Sequence, residues 1–172
     1  MFTLNCNGKL LSLEKPVVMG IINITPDSFH APSRAQNHQL VLDKAAQMIA
    51  AGAGILDIGG QSTRPNSEWL DAETEWERLN EILPKLTAAF PDTIFSIDTF
   101  HHTVARNAVA AGARMVNDVS GGQLDSHMIP TVGELGVPFV CMHMKGTPQN
   151  MGEFAVYNNI LLEMVDYFID RI

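Results

Sequence analysis

Basic residues are scarce: 11 lysines and arginines stand against 19 acids in 172 residues, a formal net charge of -8. Such a chain lacks the positive patches that hold nucleic acid or an anionic membrane nonspecifically, so neither is expected as a partner. Long apolar runs are missing as well; no window approaches the roughly 18 uninterrupted apolar residues that a membrane helix needs. The opening MFTLNCNGKLLSLEK has no basic stretch followed by a long apolar core, so neither a signal peptide nor a membrane span is expected, and a cytoplasmic location is. Cysteine is nearly absent. Cys6 and Cys141 are too few for a disulfide framework, and Cys141 lies inside the apolar run VPFVCM, where a core thiol is the simplest reading. No low-complexity segment and no Ser/Gly-rich linker interrupts the chain, which argues for one domain rather than two.

What the sequence has is apolar material in short, regularly spaced pieces. Hydrophobic residues make up 46% and charged residues only 17%, enough for a sizeable core. Residues 2–13 read as a β-hairpin, TLNC-NG-KLLSL, because Asn7-Gly8 suits a two-residue type I′ turn in which both positions take positive φ. Beyond it, strand-like runs at 17–22, 55–58, 94–97, 115–116 and 137–142 alternate with helical patterns at 40–51, 73–90 and 103–111, and 160–172 reads as a further helix. The runs are too continuously apolar for half-exposed antiparallel strands; parallel strands covered by helices fit better. AAGAGILDI and AAGARMVNDV repeat one device, a helix closing on Ala-Ala-Gly that turns directly into a strand. A β/α unit used several times is the expected architecture.

Each apolar run ends in a polar residue: Asn23, Asp57 followed by GGQSTRP, Asp98, Asn117-Asp118, and His143. In parallel α/β folds the carboxyl ends of the strands face a common crevice or barrel mouth where ligands bind, so these side chains should converge. For any single instance a helix cap or turn is the commoner explanation, and Asp57 and Asp118 suit it. A lone His143 is more often a satisfied structural group, and His101 and His102 read as solvated at a helix start. Met142, Met144 and Met151 read as core filler or as packing for a flat heterocycle. The joint pattern is what independent capping does not produce. In GGQSTRP, Gly59 and Gly60 permit close backbone approach, Ser62 and Thr63 offer hydroxyls, and Arg64 offers a planar cationic fork suited to phosphate, without the spacing of a P-loop.

The stretches MGIINITPDSF, DIGGQSTRP, SIDTF, NDVSGG and MHMKGTPQNM, in that order from Met19 to Met151, resemble dihydropteroate synthases of the pterin-binding barrel family. The resemblance implies an α/β fold of the (β/α)8 TIM-barrel type with parallel strands, here shortened to about five β/α units plus the amino-terminal hairpin. It implies a transferase that condenses 6-hydroxymethyl-7,8-dihydropterin pyrophosphate with para-aminobenzoate, giving 7,8-dihydropteroate and pyrophosphate with Mg²⁺ as cofactor. By position, Asn23 would ligate the Mg²⁺, Thr63 would meet the pyrophosphate, and Arg64 would neutralise it from a mobile loop. Asp98 and Asn117 would hydrogen-bond the pterin edge, Met142 would pack on its ring, and Phe29 and Pro65 would wall the aminobenzoate pocket. Asp98 would also oppose positive charge developing on the pterin. No covalent nucleophile is needed, and Cys141 is not assigned as one.

Two local departures accompany the resemblance: HAPSRAQ stands where the family usually has a Ser-Asp-Gly-Gly run, and Gln61 stands where it usually has glutamate. The larger one is length. A (β/α)8 barrel typically takes about 250 residues, and the later strands' aspartate, lysine, arginine and histidine have no counterpart here. The whole chain, residues 1–172, is therefore expected to be a pterin-binding domain incomplete at its carboxyl end, inactive by itself, and a homodimer only when full length. The rival expectations are a pterin-dependent methyltransferase domain and a non-catalytic module that holds pterin or phosphate.

Overall fold

Asn7 and Gly8 adopt φ values of +49° and +85°, and Cys6 pairs with Lys9 across them, so β1 (Thr3–Cys6) and β2 (Lys9–Ser12) form the hairpin that Asn-Gly favours. The computed structural model describes residues 2–24, 34–61 and 69–171. The hairpin closes the amino end of the main sheet: Cys6 is buried with Ile55, Ile94 and Met115, while Leu4 and Leu11 pack alongside. Arg114 pins it by donating from Nη1 to the carbonyls of Cys6 (3.3 Å) and Asn7 (2.8 Å).

The remaining elements alternate: β3 (Met19–Asn23), α1 (Arg34–Ala50), β4 (Ile55–Gly59), α2 (Ala72–Leu79), α3 (Ile82–Ala89), β5 (Ile94–Asp98), α4 (His102–Ala110), β6 (Met115–Asp118), α5 (Met128–Leu135), β7 (Phe139–Cys141) and α6 (Ile160–Ile169). The five strands β3 to β7 pair in sequence order and all in parallel. Consecutive parallel neighbours with a helix in each connection are the arrangement of a barrel wall, not of a doubly wound sheet, whose order reverses.

Side chains alternate across a strand, so each strand offers one set to the helices and one to the opposite face. Ile22, Leu56, Ile58, Phe95, Ile97 and Val116 meet Leu79, Leu83, Leu86, Val104, Ala108 and Val132 of the helices in one buried cluster. Each such fully buried aliphatic or aromatic side chain stabilises by roughly 1.5–3 kcal/mol, which makes this layer the main source of stability. On the opposite, inner face the central strands β4 to β6 are apolar at the hairpin end, with Ile55, Ile94 and Met115, and polar toward the carboxyl ends. Among the described residues β3 and β7 pair on one side each, Ile21 and Val140 stay exposed on the inner face, and α6 exposes Ile160, Leu161, Leu162, Val165 and Ile169. Among the described residues no helix is long and apolar enough to cross a membrane.

Three local expectations are corrected. The helix read over 73–90 is two helices: Pro84 has no N–H to return to the carbonyl of Asn80, so α2 ends at Leu79 and α3 restarts at Ile82. The helix read from residue 40 starts earlier, at Arg34. Helix α5 was not anticipated, because eight residues containing Pro130 and Gly133 give little periodic signal; the proline is tolerated in the first turn and Gly136 ends the helix at φ +63°.

Candidate functional site

Parallel pairing sets the strand ends in one rank. Asn23 lies opposite Gly59, Gly59 opposite Asp98, and Asp98 opposite Asn117; one step deeper on the same face, Asp57 lies opposite Ser96. Gly59 leaves the rank open at its centre. A Cβ there would stand 3.2 Å from Asn23 Oδ1 and 3.5 Å from Asp98 Oδ2, so the two oxygens flank a position that only glycine leaves clear.

Asp57 is 2% exposed, and its Oδ2 accepts a 2.9 Å hydrogen bond from Asn117 Nδ2. Its Oδ1 and the hydroxyl of Ser96 are buried without a hydrogen-bond partner. Such orphaned atoms cost free energy unless something else satisfies them. Asp57 therefore does not cap a helix, as a strand-end aspartate commonly does; it underlies the rank and orients Asn117. Burial pushes its carboxyl up, opposed first by the neighbouring Ser96 hydroxyl and then by the Asn117 amide. Burial, with added repulsion from Asp57 and Asp118, pushes Asp98 up to about 7. A carboxylate raised this far is short of hydrogen-bond donors, and a ligand edge presenting N–H groups would supply them.

Asp118 does suit the bland reading. Its Oδ1 accepts from the Ser120 N–H (2.7 Å) and its Oδ2 from the Gly122 N–H (2.8 Å), so it builds the turn after β6. Asp118→Ala strands both donors and is expected to lower stability by about 2 kcal/mol in urea unfolding.

Tyr167 of α6 reinforces the same turn: its hydroxyl lies 2.9 Å from the Met142 carbonyl and 3.2 Å from that of Ser120. This fixes the backbone of Met142, one residue beyond β7, next to the loop leaving β6. His143 sits in an aromatic cluster, 4.6 Å from the Tyr167 ring and 5.7 Å from Tyr157 between centroids. Burial pushes the thiols of Cys6 and Cys141 up, so neither is an activated nucleophile.

Phe29, Thr63, Arg64 and Pro65 lie outside the described residues, so the rank contains Asn23, Asp98 and Asn117 of the residues picked from the sequence, with Met142 at the neighbouring strand end. The start of the β4 loop is nonetheless anchored. Gln61 is buried and accepts from the Leu70 N–H at 3.1 Å, and Arg78 donates from Nη1 to the Gly60 carbonyl at 3.0 Å.

Sequence reasoning missed Glu75. It is 1% exposed on α2; Oε2 accepts from Thr99 Oγ1 at 2.9 Å, and Oε1 is buried without a hydrogen-bond partner. Burial, opposed by Thr99, pushes it up to about 7. The available signal was its i, i+4 spacing from buried Leu79, which puts both on the core face of the helix. His101 and His102 are not solvated as expected: His101 Nε2 lies 3.0 Å from the Leu70 carbonyl, and His102 Nδ1 lies 2.7 Å from Asp125 Oδ2.

A parallel β/α barrel wall that gathers amide and carboxylate side chains at its carboxyl edge defines the class of β/α-barrel proteins, whose ligand sites lie at the strand ends. Residues 19–172 match the pterin binding enzyme family, and the chain belongs to that family. It is 40% identical over 149 residues to the folic acid synthesis protein fol1 of Schizosaccharomyces pombe, covering 87% of this chain and 20% of the relative. It is 38% identical over 155 residues to the dihydropteroate synthase of Synechocystis, covering 90% of this chain and 53% of the relative. The structure of the Xanthomonas albilineans dihydropteroate synthase in complex with 7,8-dihydropteroate superposes with a TM-score of 0.79 at 32% identity, over 98% of this chain and 58% of that one. The chain thus spans a fifth of the fungal relative and just over half of the bacterial proteins. The sheet is accordingly part of a barrel of that type.

Proposed function

We propose that this chain is the amino-terminal part of a dihydropteroate synthase, joining 6-hydroxymethyl-7,8-dihydropterin pyrophosphate to para-aminobenzoate. The observation that carries the reading is the rank Asn23, Gly59, Asp98 and Asn117, with the buried Asp57 carboxylate holding Asn117 from beneath it. A pterin edge carries adjacent N–H donors and ring acceptors. Asp98 would accept from the donors, Asn117, held by Asp57, would serve an acceptor, and Met142 would lie against the ring.

In the reaction the C–O bond between the pterin methylene and pyrophosphate breaks, the amine nitrogen forms the new C–N bond, and the amine gives up a proton. Positive charge grows on the pterin and negative charge on the leaving group. Asp98, fixed on a rigid strand, would oppose the first; Arg64 would neutralise the second, Thr63 would bind it, and Phe29 with Pro65 would wall the aminobenzoate.

The donor chemistry of Asn23 suits Mg²⁺: one neutral, exposed amide oxygen beside an open glycine matches an ion that keeps waters and takes most of its remaining ligands from substrate phosphates. When bound, the ion would offset charge on the pyrophosphate.

The test is dihydropteroate formation with Mg²⁺ by this chain and by a version extended through the following stretch of its source gene. Turnover by the extended chain, with little or none by the 172 residues, is the expected result. Robust turnover by the 172-residue chain would overturn the assignment as a partial enzyme. An extended chain that binds pterin without turnover would move the reading to a binding module, and one that ignores para-aminobenzoate but accepts a methyl carrier would move it to a methyltransferase domain.

A further inference from the structure

His102 opens α4, Asp125 lies in the segment after β6, and His127 immediately precedes α5, and one ligand atom from each falls within 4.8 Å of the others. We infer that these three side chains form a binding site for a transition-metal dication of the Zn²⁺ class, separate from Asn23 and from the strand-end rank.

The carboxylate is held in place before any ion arrives. Asp125 Oδ2 accepts from the His102 N–H at 2.9 Å, and Oδ1 accepts from the His127 N–H at 3.0 Å. Two backbone donors on one carboxylate fix its plane, as outer contacts do at metal centres. Both imidazoles turn toward it: His102 Nδ1 is 2.7 Å from Oδ2, His127 Nδ1 is 3.6 Å from Oδ1, and the ring centroids are 5.1 Å apart. Ligand atoms around a tetrahedral Zn²⁺ stand about 3.4 Å apart, given Zn–N and Zn–O bonds near 2.1 Å. An ion entering the cluster would displace the proton of the 2.7 Å hydrogen bond between His102 Nδ1 and Asp125 Oδ2 and draw the three ligand atoms, now within 4.8 Å of one another, to that spacing, with further positions left to water. Two nitrogens and one oxygen select Zn²⁺, Cu²⁺ or Ni²⁺ over Mg²⁺ and Ca²⁺, which take oxygen sets.

A bound ion would tie the start of α4 to the start of α5, helices that follow the strands bearing Asp98 and Asn117. Without metal, Asp125 still caps both helix starts through backbone N–H groups, and to that structural role the three-quarters exposed ring of His127 adds only a 3.6 Å approach to Oδ1 and a tilted contact with the His102 ring. That difference supplies the test.

The chain, stripped with EDTA and exchanged into chelator-free buffer, is titrated with Zn²⁺ and separately with Co²⁺, alongside His127→Ala and His102→Ala. The expected result is one saturable site per chain, a higher thermal midpoint with equimolar Zn²⁺ but not Mg²⁺, and visible Co²⁺ bands without the intense near-ultraviolet band of a thiolate ligand. His127→Ala, at an exposed position, should fold normally and bind about tenfold or more weakly. No saturable binding, unchanged affinity in His127→Ala, or a thiolate band pointing to Cys141 would each overturn the inference.

Discussion

On the proposed function, Asp98→Asn in the extended chain is expected to lower the rate of dihydropteroate formation by about 10²–10³-fold, the range seen when one preorganised electrostatic contact to a transition state is removed. The same substitution raises stability at pH 8. Asp98 is pushed up to about 7 by burial and by the charges of Asp57 and Asp118, so its ionised form is costly in the folded protein. Asparagine keeps the shape and an acceptor oxygen but removes that charge; after discounting for solvent access, the gain should be about 2 kcal/mol. In the proposed site it would also present an N–H₂ group where a pterin edge needs acceptors, and it could not oppose positive charge. The two readouts separate function from folding: activity falls while the urea midpoint rises. Loss of both together would mean that Asp98 is structural.

Glu75→Gln removes a pH dependence of stability worth about 2.5 kcal/mol between pH 5 and 8. Burial is the main cause that pushes the Glu75 carboxyl from its ordinary 4.5 up to about 7. Between those values the folded state keeps a proton that the unfolded state has lost, so stability is greatest in acid, falls as pH rises toward 7, and stays low above it. Glutamine can still accept from Thr99 Oγ1 and does not titrate. Any fixed cost of burying its amide is the same at both pH values and cancels. Urea unfolding of both proteins at pH 5 and pH 8 checks this. A smaller decline remains in Glu75→Gln because Asp98, raised in the same direction, still titrates. Equal declines in both proteins would show that Glu75 is ionised throughout.

Both residues bear on how much could be read from the chain itself. Asp98 was legible because it ends an apolar run in SIDTF, and a short, continuously apolar run with a polar terminus is a local pattern. Glu75 was not, because an acid among AETEWERL looks like any solvated helix face until Leu79 on the same stripe is known to be buried. The break at Pro84 follows from one missing N–H and was readable in principle, whereas the length of α5 was not. The metal-binding triad was out of reach for a related reason. His102 and Asp125 are 23 residues apart, and only the packing of α4 beside α5 brings them together.

The sequence alone determined the alternation of strands and helices, the Asn-Gly hairpin, the family motifs and the polarity of each strand's carboxyl end, all set by contacts between near neighbours in the chain. The tertiary structure decided which of those polar ends serve a site. Register places Asn23, Asp98 and Asn117 in one rank, turns Asp57 inward beneath them, and leaves Asp118 to its own turn. A one-residue slip would send each of these side chains to the opposite face. That choice depends on the buried layer shared with the helices, which no single stretch of sequence contains.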